Sequence, residues 1–223
     1  IEARSAALNT YCIKDGYQHN NNPVPYLDSL EDSVTYQLDV YTFAASIIKK
    51  NHAHSIVDIG CGLGSKLEQY IQSPGNQIFG VDCEASIQHC RKAYEFGEWI
   101  IDDIENPRYN PSRPVDAIIC SDVVEHLVNP DLLFDYFLRW SHKDTQIIIS
   151  TPERDLRRGP DDMGPPQNTA HVREWNSEEF SRYLTSQGLN VREHKIVELR
   201  AGMLTCQLAL CSWQDKVTTR GNG

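Results

Sequence analysis

The 223-residue sequence predicts a doubly wound α/β domain, a mostly parallel sheet with helices on both faces. Three observations carry this. Short, continuous apolar runs alternate with helical patterns, the mark of strands buried on both faces. A glycine turn follows the first such run directly, at Gly60-Cys61-Gly62-Leu63-Gly64. The last two strand-like segments are joined only by Arg200-Ala201-Gly202, which reads as a hairpin and hence an antiparallel edge.

The first 30 residues are turn-rich, broken by Asn20-Asn21-Asn22-Pro23 and Pro25, and are expected to drape over the rest. From Tyr36 the apolar residues Tyr36, Val40, Phe43, Ala44, Ile47 and Ile48 share one face, predicting a helix up to Lys50. Strands are predicted at 55–60, 77–82, 98–101, 115–120 and 146–150, with helices at 65–72 and 84–96 between them. Asn129-Pro130 opens a helix with Asn129 as cap, carrying a stripe of Leu132, Leu133, Tyr136, Phe137 and Trp140. Asn176 and Glu179 form a capping box for a helix ending at Gly188, and strands at 190–199 and 203–213 finish the sheet. Residues 1–33 are expected as an N-terminal cap, 34–213 as the main domain with 151–175 as a lid loop, and 214–223 as a flexible tail.

Lys and Arg total 21 against 31 Asp and Glu, a formal charge of −10, which argues against general nucleic-acid binding. No apolar run approaches the ~20 residues that span a bilayer. Neither a secretory signal nor a disulfide framework is read. The seven cysteines are odd in number and form no C-x-x-C pair, as in a reducing, cytoplasmic setting.

The chemistry concentrates at strand ends. Glycines after the first strand let the backbone and the next helix's N-terminus approach a ligand. Asp82, 22 positions after Gly60, ends the second strand and is suited to accepting from ribose hydroxyls. The spacing is G-x-G-x-G rather than the dinucleotide G-x-G-x-x-G, and Gly64-Ser65-Lys66 reverses the phosphate-loop order. Asp58, just before the turn, disfavours a polyanion and suits a ligand with a cationic end, such as S-adenosylmethionine. After the third strand, Asp103 is the acid for an adenine amino group and Ile104 packs on its ring.

VDIGCGLG, FGVD, Asp102-Asp103-Ile104 and DAIICSDVVEHL together resemble the successive motifs of class I S-adenosylmethionine-dependent methyltransferases. The similarity runs from about Tyr36 to Trp213. It implies a Rossmann-like seven-stranded sheet with an antiparallel last strand. It further implies that the cofactor's amino-acid end lies near Gly60, Gly62 and Ser121, its ribose at Asp82 and its adenine near Asp103. The segment before strand one would close over it, with Tyr26, Tyr36 and Gln37 as candidates. More loosely, the Glu125-His126 pair and the stretch STPERD…HVREW resemble methyltransferases of sugar and glycan modification.

Methyl transfer to a hydroxyl needs a positioned acceptor and a proton acceptor, for which histidine (pKa ~6.5) is suited. His126 stands four residues after Asp122; on a helix the two would share a face and the acid would orient the ring. His171, beyond the long loop, is the second candidate base. Arg154, Arg173 and Trp175 are expected to contact the acceptor, a small molecule that could carry a phosphate or sugar. No metal is expected, and a homodimer is compatible with the sequence. Three readings compete: O-methylation of a sugar or glycan-pathway intermediate; N- or C-methylation of another metabolite; and, behind both, a nicotinamide-dependent reductase or a non-catalytic binding protein of the same fold.

Overall fold

The computed structural model describes residues 10–215. Its centre is a seven-stranded sheet in the order β3-β2-β1-β4-β5-β7-β6. The strands are β1 (Ser55–Ile59), β2 (Gln77–Asp82), β3 (Glu98–Ile101), β4 (Val115–Ser121), β5 (Ser141–Pro152), β6 (Leu189–Val197) and β7 (Cys206–Trp213). The first five pair in parallel, whereas β7 runs antiparallel to both β5 and β6. The chain therefore reverses strand order beside β1 and β4, and the carboxyl ends of these strands open the crevice where ligands of such sheets bind.

Alternation along the strands explains the two-sided core. In β5, Ile147 and Ile149 face one side and Ile148 the other. The helices are α1 (Leu30–Thr35), α2 (Leu38–Lys50), α3 (Glu84–Ala93), α4 (Asp131–Trp140), α5 (Arg154–Arg158) and α6 (Ser177–Ser186). The apolar faces of α4 and α6 cover one side, through Leu133, Phe137, Trp140, Phe180 and Tyr183. Val40, Ala44 and Ile47 of α2, with Ile87 and Cys90 of α3, cover the other. Asn176 accepts from the Glu179 amide, and Glu179 accepts from the Asn176 amide, so the capping box forms.

Four local expectations are corrected. The helix read from Tyr36 to Lys50 forms as α2 but starts only at Leu38, because Gln37 takes a left-handed φ of 64°, and a separate short helix, α1, which the sequence did not suggest, precedes it. After the glycine turn the chain winds into a π-helical segment (Leu67–Ile71), closed by Gln72 N donating to Leu67 O. Asn129 does not cap α4; its amide donates to Glu105 Oε1, and Pro130 holds the cap position. Asp122 and His126 share no helical face, since the chain turns at Asp122 (φ 53°) into a single 3-10 turn, Val124–His126.

Residues 25–37 contribute to the crevice wall, whereas residues 10–20 pack against α6 and the stretch 169–175. Tyr11 O accepts from Trp175 Nε1, Asn20 N donates to Val172 O, and Ser33 O accepts from Ser65 Oγ. The early part of the expected cap, residues 1–9, lies outside the described residues, as does 216–223 of the expected tail. Gln214, within that tail, is tied to Gly188 O and Leu189 O. Among the described residues, no helix is long and apolar enough to cross a membrane.

Candidate active site

One cavity of about 1240 Å³ opens at the carboxyl ends of β1, β2, β3 and β4. The glycine turn forms part of its wall. Gly60, Gly62 and Gly64 all have positive φ, a conformation that side-chain-bearing residues adopt only with strain. Asp82, at the end of β2, braces the turn: its Oδ2 accepts from Gly62 N at 2.8 Å and its Oδ1 from Cys83 N at 2.7 Å. Each oxygen keeps a lone pair for a further donor.

Asp103 and Ile104 line the same wall beyond β3. The neighbouring acid has a different task. Asp102 accepts from the backbone amides of Asp103, Arg108 and Tyr109, which fixes the loop shape. The Asp103 carboxylate accepts, among the described residues, only from Glu105 N, through Oδ1.

At the end of β4, Ser121 bonds to Ser150 Oγ at 2.9 Å, and Ser150 donates on to Asp122 Oδ1 at 2.8 Å. Gln37 Nε2 donates to the other oxygen of Asp122 at 3.1 Å. This draws Tyr36, Gln37, Ser121 and Asp122 onto one part of the cavity wall. Asp58 is not on that wall: it is fully buried behind the turn, with Oδ2 accepting from Tyr41 Oη at 2.7 Å. The acids that do line the cavity include Asp28 and Asp82, both against the glycine turn, and Asp122.

The same cavity is lined further by Glu125, His126, Asn168 and His171. His126 Nδ1 lies 2.9 Å from Ala170 O, and a carbonyl only accepts, so Nδ1 carries the proton. Its Nε2 has no hydrogen bond to the described residues. Tyr26 stacks on this ring at 5.2 Å between centroids. Burial, with His171 beside it, pushes His126 down to about 4, so the ring is neutral at pH 7.

His171 stands edge-on to His126 at 4.7 Å. Both of its nitrogens are engaged. Nδ1 bonds to Glu174 Oε1 at 2.6 Å. Asn168 Oδ1 accepts from Ala170 N, which turns the Asn168 amide nitrogen toward His171 Nε2 at 2.9 Å. Burial opposes charge on Glu174, yet His171 and Arg158 hold its carboxyl below the usual range. Glu125 is fully buried. Thr151 donates to its Oε2 at 2.9 Å and its Oε1 has no partner.

The three expected acceptor residues do not reach the cavity. Arg154 is fully buried, donating to Glu179 at 2.6 and 3.1 Å and to Asp155 at 2.9 Å. Arg173 spends its guanidinium on Leu127 O and Val128 O, and Trp175 stacks on Tyr183 in the core at 5.3 Å. The 151–175 stretch is thus docked into the core by its own arginines. Its cavity-lining members are Pro152, Arg157, Asn168 and His171. Nothing in the sequence distinguishes Arg157 from its neighbours; its place is set by α5.

A family model described as "Methyltransferase domain" matches residues 35–194, well over half of the chain. The comparison with curated protein sequences returns no match. Among solved structures, the chain is similar to an S-adenosylmethionine-dependent methyltransferase from Clostridium acetobutylicum ATCC 824, at 14% identity and TM-score 0.61, over 79% of this chain and 92% of that one. It is also similar to the plantazolicin methyltransferase BpumL in complex with S-adenosylhomocysteine, at 20% identity and TM-score 0.59, over 79% and 83%. A third is magnesium protoporphyrin IX methyltransferase from Synechocystis PCC 6803 with S-adenosylhomocysteine bound, at 13% identity and TM-score 0.61, over 86% and 90%. The strand order, the braced glycine turn and this family match together identify the chain as a member of the methyltransferase-domain family, an S-adenosylmethionine-dependent methyltransferase.

Proposed function

We propose that this enzyme methylates an oxygen of a small hydroxylated acceptor, such as a sugar or glycan-pathway intermediate, bound at the Glu125–His126–His171 end of the cavity. The observation that carries this reading is the continuity of that end with the glycine turn, Asp82 and Asp103 in a single cavity.

The residues fit the donor. Asp82 keeps an unused lone pair on each oxygen for the two ribose hydroxyls. Asp103 and Ile104 offer an acceptor and an apolar surface to adenine, and Asp122 offers a carboxylate to the ammonium end. Tyr36, Gln37 and Ser121 would complete that end. When bound, S-adenosylmethionine supplies an electrophilic methyl group on its sulfonium.

The chain's own contribution is orientation and proton management. Tyr26, Tyr36 and Gln37 line the crevice, where a bound donor and acceptor would displace water. Holding the two reactants in line replaces a bimolecular encounter and accounts for much of the acceleration. His126 is neutral, with its proton fixed on Nδ1, so Nε2 is the atom that faces an acceptor hydroxyl as a lone pair. His171 supports that ring edge-on and does not itself receive the proton, since both its nitrogens are engaged. Arg157, which lines the cavity 3.9 Å from Glu174, is a cation that a phosphate or carboxylate on the acceptor would meet. The plantazolicin and magnesium protoporphyrin IX methyltransferases are named for chemically unrelated acceptors, so the hydroxylated acceptor rests on the cavity and on the looser sugar-pathway likeness of the sequence.

The test is a titration with S-adenosylhomocysteine followed by mass spectrometry of reactions with sugars and nucleotide sugars. Donor-dependent mass gain on an oxygen is expected, with His126→Ala lowering kcat and keeping the donor affinity. Methylation confined to amines would replace the hydroxyl acceptor with an amine.

A further inference from the structure

We infer that Glu125, His126 and His171 together bind a first-row divalent transition-metal ion, whose remaining positions face the acceptor end of the cavity. The inference rests on the reading of that end as the acceptor site. The sequence led to the expectation of no metal, because it shows no dense cluster of oxygen ligands. The set that the fold assembles instead mixes two imidazoles with one carboxylate.

Geometry comes first. One ligand atom from each residue lies within 4.8 Å of the others, across a sequence gap of 45 residues. An ion held at about 2.0–2.2 Å by nitrogen and carboxylate oxygen needs only side-chain settling to draw these atoms in. All three residues line the cavity, so a bound ion would have open positions toward an acceptor.

The supporting bonds are the second, independent observation. Metal-binding histidines hand their other ring N–H to a carbonyl or carboxylate, which fixes the tautomer and aims the free nitrogen. His126 gives Nδ1–H to Ala170 O, and His171 gives Nδ1–H to Glu174 Oε1. Both therefore present Nε2. His126 Nε2 is free, and His171 Nε2 is held only by the Asn168 amide, which an ion would displace. Glu125 is anchored through Oε2 by Thr151, while Oε1 is buried without a partner. An unpartnered carboxylate oxygen in the interior is costly, and a cation beside it supplies the missing interaction. Glu174 is backed in turn by Arg158 at 3.0 Å.

The donor set selects the ion class. Two imidazoles and one carboxylate suit zinc, iron, cobalt, nickel or manganese, and do not suit calcium or magnesium, which take all-oxygen shells. An acceptor oxygen placed on such an ion is polarised as by any Lewis acid. His126 Nε2 then serves as a ligand rather than as the proton acceptor, and the ion lowers the pKa of the acceptor hydroxyl it holds, so that the hydroxyl's proton leaves to solvent as the methyl–oxygen bond forms and the methyl–sulfur bond breaks.

The test uses the full chain, treated with a chelator, dialysed free of it and titrated with Co²⁺. A visible absorption band saturating at one ion per chain, and bleached by Zn²⁺, is expected. Glu125→Gln, which preserves the Thr151 bond, and His126→Gln should each abolish the band. Glu174→Gln should weaken Co²⁺ binding about 10–100-fold. S-adenosylhomocysteine titrations run on the same samples report folding and the donor site separately. Wild-type protein that binds S-adenosylhomocysteine and shows no saturable Co²⁺ band overturns the inference, as does an unchanged band in the Glu125→Gln and His126→Gln variants. Loss of S-adenosylhomocysteine binding by the untreated wild type would instead overturn the reading of the cavity.

Discussion

The Tyr41 hydroxyl donates to Asp58 Oδ2 at 2.7 Å, and both side chains are buried beneath the glycine turn. The other oxygen of Asp58 has no partner. Burial is the largest influence and raises the carboxyl from 3.8 to about 7, against the lowering effects of the Tyr41 bond and of Lys66. A folded carboxyl raised in this way holds a proton that the unfolded chain has already lost. Its contribution to stability is therefore present at low pH and declines as pH rises between about 4 and 7. The slope from this one group reaches about 1.4 kcal/mol per pH unit. Urea denaturation at several pH values should show that slope in the wild type and a flatter profile in Asp58→Asn. Parallel profiles would mean that Asp58 is already ionised in the fold.

Arg154 and Glu179 pose the opposite case, a buried charge fully partnered. Glu179→Gln leaves the guanidinium with Asp155 as its one anionic partner, beside the Glu174 carbonyl, and the loss should be about 3 kcal/mol, the low end of what breaking a buried pair costs. Denaturant midpoints measure it. Affinity for S-adenosylhomocysteine should be unchanged, because Arg154 does not line the cavity. A large loss of donor affinity with little loss of stability would return Arg154 to the binding site.

These two cases mark where the sequence was readable. The strands were legible because parallel strands buried on both faces are continuous apolar runs, as VDAIIC and QIIIS are. Asp82, Asp103 and Ile104 were legible because strand ends bring them to one crevice whatever the loops do. Side-chain direction was not. Asp58 lies on a strand, and which way its carboxylate points is decided by Tyr41, 17 residues earlier. The run of basic residues in 151–175 gave no means of separating Arg157, at the cavity, from Arg154, in the core. Nor could spacing reveal that Asp122 takes a left-handed φ, which breaks the helix on which an Asp122–His126 pair depended.

The contact between the N-terminal segment and the glycine turn supplies a further test. Asp28 faces the Gly62–Leu63 turn and accepts from Leu63 N at 3.4 Å. A Cβ added at Gly62 would collide with the Asp28 carboxylate, and the φ of +54° is itself unfavourable for alanine. Gly62→Ala should therefore push the segment off the turn. Increased protease sensitivity within residues 23–37 is expected, with weaker S-adenosylhomocysteine binding. Adding Asp28→Ala relieves the collision and should recover part of the affinity. Unaltered proteolysis in Gly62→Ala would mean that the segment yields without leaving the crevice.

Asp82 concentrates two tasks in one side chain, and its substitution separates them. The carboxylate orders the turn through Gly62 N and Cys83 N, and it presents its remaining lone pairs to the donor's ribose. Hydrogen bonds to a charged group contribute about 1.5–3 kcal/mol each. Asp82→Ala should thus weaken S-adenosylhomocysteine by about 3 kcal/mol, roughly a hundredfold in Kd. Asp82→Asn keeps one acceptor oxygen, which can still brace Gly62, and should fall between the two. Calorimetric titration of all three proteins gives the order directly. If Asp82→Asn binds as poorly as Asp82→Ala while its melting temperature matches the wild type, the ribose contacts dominate. A melting temperature that falls in step with affinity across the series assigns the effect to the turn itself.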